Sequence, residues 1–491
     1  MQATQCSRVW WFAERLAVAA GAAAWCAAAG AATIDPDISA RLARDIGANR
    51  YPVIIHLAKQ ADPAELGKRF AEVPAAQRGG RIVEALRAFN KPLQAPLLQD
   101  LSARHAEEVN ALVTVNAVAA RLGARDIREI AQRPEVASIR YDIGLVAPSR
   151  KAMADPCRPA RPTPRQRLPK ACREEAKPAA TVDAAAFDLA LAASPTVQSV
   201  GAPQAWKAGF TGKGVTVAFV DSGVDATHRD LAGSFRGGSA DWFDVHGQHK
   251  RPIDRHGHGT QLAGLVVGAG ASGQTLGVAP QARWIAARIY DDGNVGRLSQ
   301  IHRIMAWLLD PDGNPATPDA PQIVLNAWGL GDRAGSCDTE FTRDLGWLRA
   351  AGMHVVFAAG NGGPTNNSSV SPANNAGVLA VGALDGAGEM ALYTSRGVSA
   401  CDARAYPDLL APGELVRTTD LAIPGIPVTA AVSGTSYAAA VVAGELALLA
   451  QAKPKMAPVE REALLQGRPE GRPVLLRALG LDADGATERP Q

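Results

Sequence analysis

Residues 433–450 read Ser433-Gly434-Thr435-Ser436-Tyr437-Ala438-Ala439-Ala440-Val441-Val442-Ala443-Gly444-Glu445-Leu446-Ala447-Leu448-Leu449-Ala450. A turn of small residues runs directly into an apolar helix, which places Ser436 at a helix N-terminus. Free backbone N–H groups and the positive end of the helix dipole favour an oxyanion forming beside such a serine. Its small neighbours let a substrate backbone come close. The same Gly-Thr-Ser string is also what an ordinary helix cap looks like, so its meaning depends on what lies upstream.

Working back from that turn, residues from about 198 alternate strand and helix. Val215–Val220 is an apolar strand ending at Asp221, Leu262–Val267 a helix, Arg283–Ile289 a strand and Ile301–Leu309 a helix. Gln322–Leu325 is a strand, Phe341–Ala351 a helix, and His354–Ala359 and Val378–Gly382 are two more strands. Short apolar strands alternating with helices predict an α/β domain whose mostly parallel sheet is covered on both faces, three layers in all. Sites in such folds lie beyond the carboxyl ends of the strands, where Asp221 and Asn361 both stand.

Three segments join the Ser436 turn. They are Asp221-Ser222-Gly223-Val224, Asp254-Arg255-His256-Gly257-His258-Gly259-Thr260, and Ala358-Ala359-Gly360-Asn361-Gly362-Gly363. Singly, each reads as a turn or a polar helix start. Together they supply what acyl transfer needs. A serine hydroxyl is a poor nucleophile until a base takes its proton, and an imidazole does that near neutral pH. A carboxylate fixes the imidazole tautomer and stabilises the imidazolium. An amide NH₂ beside the serine N–H can hold the tetrahedral oxyanion.

In order and in local sequence these segments resemble the subtilisin-like serine proteases. Asp221-Ser222-Gly223-Val224, His258-Gly259-Thr260 with Ala263-Gly264, and Gly277-Val278-Ala279-Pro280 match family elements, as do Ala359-Gly360-Asn361, Ala411-Pro412-Gly413 and Gly434-Thr435-Ser436. The resemblance spans about 198–455. It implies that Asp221 orients, His258 is the general base in preference to His256, Ser436 is the nucleophile and Asn361 the side-chain oxyanion donor. It further implies that Ala327, Trp328, Gly329 and Gly360 bind substrate, the segment Asn326–Gly329 resembling a strand edge that pairs with an extended peptide. Three features depart from the pattern. Gln261 stands where a second His is usual, Tyr437 where Met is usual, and Ala440-Val441 where Pro-His is usual. None removes a catalytic group.

The half before this domain is read next. Tyr51–Leu57 is a strand, Ala64 to Val109 a long helical region, Leu112–Ala120 a strand pair, Ala124–Gln132 a helix and Val136–Tyr141 a last strand. That is a β-α-β-β-α-β, ferredoxin-like α+β unit over 50–147, with 33–49 read as a short leader. It resembles, more weakly, the inhibitory propeptide of the same family, which would make it an intramolecular inhibitor and folding aid removed by self-cleavage between about 143 and 200. Residues 148–180 hold seven prolines and nine Lys or Arg against three Asp or Glu, which reads as a stiff, solvated linker within a boundary of 148–197. Residues 456–491 read as one helix, Pro458–Leu465, and a loose tail.

The N-terminus reads as an export signal over 1–32, with Arg8 and Arg15, an apolar run Leu16–Ala29, and small residues after it. That places the mature protein outside the cell or in a periplasm, off the membrane. Cys157, Cys172, Cys337 and Cys401 remain after signal removal, and four cysteines allow three pairings. The simplest joins Cys157 to Cys172 and Cys337 to Cys401. A net charge of +3 on 491 residues argues against nucleic acid as a partner. The expected partners are a peptide or protein substrate and the chain's own propeptide, in a monomer. No cofactor is expected. Calcium is a common stabiliser in the family, but no compact acidic loop is assigned to it from the sequence. Gly268–Gly273 satisfies G-x-G-x-x-G but follows a helix, so dinucleotide binding is set aside. A non-catalytic module that binds peptides is the alternative; it would have no chemical reason to keep Asp221, His258, Asn361 and Ser436 together.

Overall fold

The computed structural model of the protein describes residues 32–45, 47, 49–147, 192–421, 428–466 and 473–487. The expected signal up to residue 31, the stretch 148–191 and the Cys157–Cys172 pair lie outside them.

The N-terminal unit begins with β1 (Thr33–Ile34) and α1 (Pro36–Leu42), then β2 (Arg50–Leu57), α2 (Pro63–Arg69) and the long α3 (Ala75–Ala103). It continues with β3 (Glu107–Ala111), β4 (Ala117–Gly123), α4 (Ala124–Ile130), β5 (Val136–Tyr141) and β6 (Gly144–Val146). The sheet order is β1-β5-β2-β4-β3, so the β-α-β-β-α-β unit is present with an added edge. Two details differ from the sequence reading. Residues 33–42 are structured, β1 pairing in parallel with β5. Glu107–Ala111 is strand, because α3 stops at Ala103 and His105 takes a left-handed φ of 52° that turns the chain.

The period-2 alternation of β2 and β4 divides the unit's buried residues between two cores. Val53, Ile55 and Leu57, with Val118, Ala120 and Leu122, face its own helices. Ile54, Ala117 and Ala119 face the other way and join a core shared with the second domain.

That domain holds α5 (Pro195–Ser199), α6 (Ala202–Lys207), β7 (Thr216–Asp221), α7 (Arg229–Ala232), β8 (Trp242–Asp244), α8 (His258–Val267), β9 (Arg283–Arg288), β10 (Val295–Arg297) and α9 (Leu298–Leu309). It goes on through β11 (Ile323–Asn326), α10 (Thr342–Ala350), β12 (His354–Ala358), β13 (Leu379–Leu384), β14 (Gly397–Val398), β15 (Ala405–Tyr406) and β16 (Leu409–Pro412). Last come the hairpin β17 (Val416–Thr419) and β18 (Thr429–Val432), then α11 (Thr435–Ala452), α12 (Pro458–Leu464) and α13 (Val474–Leu479). Seven strands form one sheet in the order β16-β13-β12-β11-β7-β9-β8, every pairing parallel. The strands are buried on both faces, which is why they read as unbroken apolar runs. Helices α8 and α11 cover one face, and α9 and α10 the other. This is the three-layer α/β/α arrangement expected.

From β7 the chain builds β8 and β9 on one side, then crosses to lay down β11, β12, β13 and β16 on the other. The crevice beyond the ends of β7 and β11 is therefore the switch point where such folds bind ligands. Helix α11 runs behind it with Thr435 to Ala450 all buried. Its length and composition would suit a membrane span, but 89% of it is buried, which makes it a core helix. Cys337 and Cys401 are disulfide-bonded, S–S 2.08 Å. Beyond Pro458–Leu464 the chain forms the further helix α13, with Leu475, Leu476 and Leu479 buried in the main core. The Gly and Arg content around that short apolar run made it read as a tail.

Candidate active site

Asp221 ends β7, and the turn after it is set by two close backbone approaches. Gly223 has φ +108°, and a Cβ there would fall 2.0 Å from Ile253 O. A Cβ on Gly259 would fall 2.0 Å from Gly223 O. Only glycine at both places lets the β7 turn sit against the first turn of α8. There the Gly259 N–H donates to Ser222 Oγ at 3.0 Å. The result is that His258, first residue of α8, has Nδ1 2.8 Å from Asp221 Oδ1, with both side chains buried.

Asp254 completes this corner, and the sequence reading gave it no role. Its Oδ1 accepts from the His256 and Gly257 N–H groups at 2.8 and 2.7 Å. Its Oδ2 accepts from the Thr260 N–H and hydroxyl at 3.0 and 2.7 Å. One buried carboxylate thus holds the four-residue approach to α8 and fixes where His258 stands. The signal was available, since an Asp a few residues ahead of a helix start is a capping pattern. Burial alone would lower the His258 pKa, but the Asp221 charge and hydrogen bond, with Asp254 behind them, raise it above the ordinary imidazole value. His256, the rival imidazole, lies with its ring 6.2 Å from that of His258.

Ser436 is buried in the first turn of α11, after Gly434, whose φ is 157° and ψ 158°. Asn361 is exposed just past β12. Its Oδ1 accepts from the Thr435 N–H and from Thr435 Oγ1, both at 3.0 Å. This fixes the amide so that Nδ2 points along the Gly434–Ser436 turn, and a methyl on Gly434 would sit 3.6 Å from Nδ2. Neither Nδ2 nor the Ser436 N–H has an acceptor among the described residues. The Gly360 N–H donates to Thr435 Oγ1 at 3.1 Å, tying the end of β12 to the same turn. Beside Ser436, the Tyr437 ring lies 5.8 Å from that of His258, edge to face, which brings the start of α11 next to the imidazole.

Two of the departures from the family pattern meet here. The Tyr437 hydroxyl donates to Gln261 Oε1 at 2.8 Å, and Gln261 Nε2 donates to Asp420 Oδ1 at 3.3 Å. An amide in place of imidazole at 261 is thus matched by a hydroxyl in place of thioether at 437. Ala440 and Val441 are fully buried in α11, where apolar residues suit the surroundings.

Ala327, Trp328 and Gly329 follow β11. That strand is interior, paired with β7 and β12 as far as Asn326, and among the described residues no strand pairing runs on through 327–329. Ala327 is buried and Gly329 half-buried. The Trp328 ring lies 5.5 Å from both Phe341 and Phe357, and its Nε1–H donates to Asn326 Oδ1. An edge that accepts an added strand is β10, which the sequence reading missed. It pairs antiparallel with β6 of the N-terminal unit, Val146 opposite Val295 and Leu145 opposite Gly296. A Cβ on Gly296 would come 2.6 Å from Ile289 O, and the Ile289 N–H donates to Asp221 O at 2.8 Å. The added strand is thus connected to Asp221 through β10 and the Ile289 backbone.

Among the described residues, one group of His, Cys, Asp or Glu is spaced to share a metal ion, and it contains none of these side chains.

Comparison with known proteins places the second domain in a family. Residues 212–480 match the model of the subtilase family, Peptidase S8. Bacillopeptidase F of Bacillus subtilis is 29% identical over 80% of this chain and 27% of its own length. Serine protease AprX of the same species is 35% identical over 52% of this chain and 61% of its own. Subtilisin of Bacillus pumilus is 31% identical over 52% of this chain and 84% of its own. The chain thus spans about a quarter of bacillopeptidase F and under two thirds of AprX.

Proposed function

The chain belongs to the subtilase family, and from that premise we propose that it is an exported serine endopeptidase made as a precursor that its own N-terminal domain holds inactive. The observation that carries the chemistry is the buried 2.8 Å contact of His258 Nδ1 with Asp221 Oδ1 beside the N-terminus of α11. With Nδ1–H committed to Asp221, Nε2 is the basic nitrogen. It takes the Ser436 proton as Oγ attacks the scissile carbonyl. Asp221 stabilises the imidazolium that results. The carbonyl oxygen becomes an oxyanion, and the donors left free for it are Asn361 Nδ2 and the Ser436 N–H at the positive end of α11. The imidazolium then protonates the leaving amine, and water, activated by the same nitrogen, releases the acyl group.

The β6–β10 pairing supports the inhibitory role. It is a strand added to the second domain at the carboxyl end of the sheet, as an extended substrate would add. Export rests on the charged and apolar pattern of residues 1–32.

The test is a gel and mass analysis of wild type beside Ser436→Ala, both made with the native N-terminus. Wild type is expected to shorten to a fragment beginning after about residue 143. Ser436→Ala is expected to stay whole and to lose labelling by a serine-directed fluorophosphonate. An intact, unlabelled wild type would leave a peptide-binding module as the better reading.

A further inference from the structure

The strands β11 and β12 are neighbours in the sheet, and the chain continues past both toward the crevice. Gly329 follows the end of β11, and Gly360 the end of β12. Both are half-buried. Glycine at the two positions leaves room between the segments, and one side chain takes it. A Cβ on Gly329 would fall 2.9 Å from Val370 Cγ1, and one on Gly360 2.9 Å from Val370 Cγ2. The two methyls of Val370 therefore meet the two glycines, one each. Gly360 is fixed as glycine for other reasons as well. Its φ is +102°, and a Cβ there would also lie 2.9 Å from Ser395 Oγ.

Val370 is buried, and its backbone is pinned on every side. Its carbonyl accepts from the Asn374 N–H at 3.0 Å. The Ser369 carbonyl accepts from the Gly335 N–H, and the Ser371 carbonyl from the Leu330 N–H, both at 2.8 Å. These bonds fix where the side chain starts. A β-branched valine is also stiff about χ1, which leaves its methyls little freedom to quit the gap.

The gap lies beside the chemistry. The scissile carbonyl carbon must meet Ser436 Oγ while its oxygen points to Asn361 Nδ2 and the Ser436 N–H. The residue that owns this carbonyl is thereby held next to Gly360, which precedes Asn361 and donates its N–H to Thr435 Oγ1. The opening between Gly329 and Gly360 is the place for that residue's side chain, and Val370 closes the opening at its far end.

We propose that Val370 is a specificity-determining residue that limits the side chain on the acyl side of the cut bond to about the size of alanine. This rests on the endopeptidase reading above and names its substrate class. An aromatic ring would have to displace a side chain whose backbone is bonded at three successive residues, and packed atoms resist such displacement.

The experiment uses the full chain made with its native N-terminus. The processed enzyme is titrated with a fluorophosphonate, so that rates are counted per active serine. kcat/KM is then measured on two peptide nitroanilides that differ only in the residue before the cut bond, alanine or phenylalanine. Wild type is expected to favour alanine by about tenfold or more, the scale on which a single methylene counts in an apolar pocket. Val370→Gly empties the gap and should move the phenylalanine-to-alanine ratio by about a hundredfold toward phenylalanine, with Val370→Ala moving it part of the way. A wild type that favours phenylalanine would overturn the assignment, as would a ratio that is the same in wild type and both variants. If Val370→Gly yields no titratable serine, Val370→Ala decides. A wild type that neither takes the fluorophosphonate nor cuts either substrate would sink the endopeptidase reading itself, and this assignment with it.

Discussion

The pairing of His258 with Asp221 sets a pH dependence whose sign can be worked out. The base must be neutral to accept the Ser436 proton, so activity is lost as pH falls through the His258 pKa. That pKa is raised by Asp221 and Asp254 against the opposing effect of burial. Asp221→Asn removes the larger charge. The acid limb of kcat/KM should then move to lower pH while kcat falls by about 10⁴, since the tautomer is no longer held. A pH–rate profile on a peptide substrate reads both effects, and an unmoved acid limb would mean that some other group sets it. Much of this corner was legible in the sequence, because Asp221, His258, Asn361 and Ser436 each sit in a short string whose neighbours are as constrained as the residue itself. Asp254 carried only the general mark of a capping Asp ahead of a helix start, which says where a helix begins and not that the carboxylate holds a particular imidazole. The Tyr437–Gln261 bond was hidden for a different reason. Its partners are 176 residues apart, and nothing local couples them.

At the level of elements, the site depends on how closely α8 approaches the end of β7. Gly259→Ala would place a methyl 2.0 Å from Gly223 O, a backbone atom that cannot swing aside. The expected result is a folded protein in which His258 is pushed off Asp221, with activity down by about a hundredfold, the scale of loss from a displacement of around 1 Å. Circular dichroism with a kinetic assay separates this from misfolding; full activity in the variant would show the contact to be dispensable. The strands and helices around this joint were readable because each buried strand is a continuous apolar run. Short elements were not. β8, β16 and the β17–β18 hairpin are three or four residues long, too short to show a period, and are held by their sheet partners. β10 likewise becomes a strand through β6.

For the molecule as a whole, the decisive contact is a buried charge network between the two domains. Arg140 of β5 donates to Asp338 Oδ1 at 2.8 Å and to Glu340 Oε2 at 3.1 Å. Glu340 also meets His56 Nε2 at 3.1 Å and His302 Nε2 at 2.9 Å. Burial opposes charge on His302, yet Asp344 and Glu340 push its pKa up to about 10, which favours its charged form near neutral pH. Arg140→Ala would leave Asp338 to Arg333 and Glu340 to its two imidazoles, at a cost of about 3 kcal/mol, the lower end for a broken buried pair. The N-terminal domain, added to the processed enzyme as a separate chain, should then inhibit more than about a hundredfold less tightly. An unchanged inhibition constant would exclude the ion pair as a source of grip. None of this was visible beforehand, since His56, Arg140 and Glu340 sit in unrelated stretches that only the docked sheet brings together.

The sharing of one apolar core by Ile54, Ile82 and Val83 with Ile301 and Ile304 has a consequence in the order of synthesis. A ribosome delivers the N-terminal sheet first, then Asp221, then His258, and Ser436 only when most of the chain is made; at about 5–20 residues per second this spreads over many seconds. Every molecule that acquires Ser436 is therefore already carrying the N-terminal surface that docks on the second domain. Under the inhibitory role proposed above, the safeguard needs no second gene product and no timing signal, because it is written into the direction of translation.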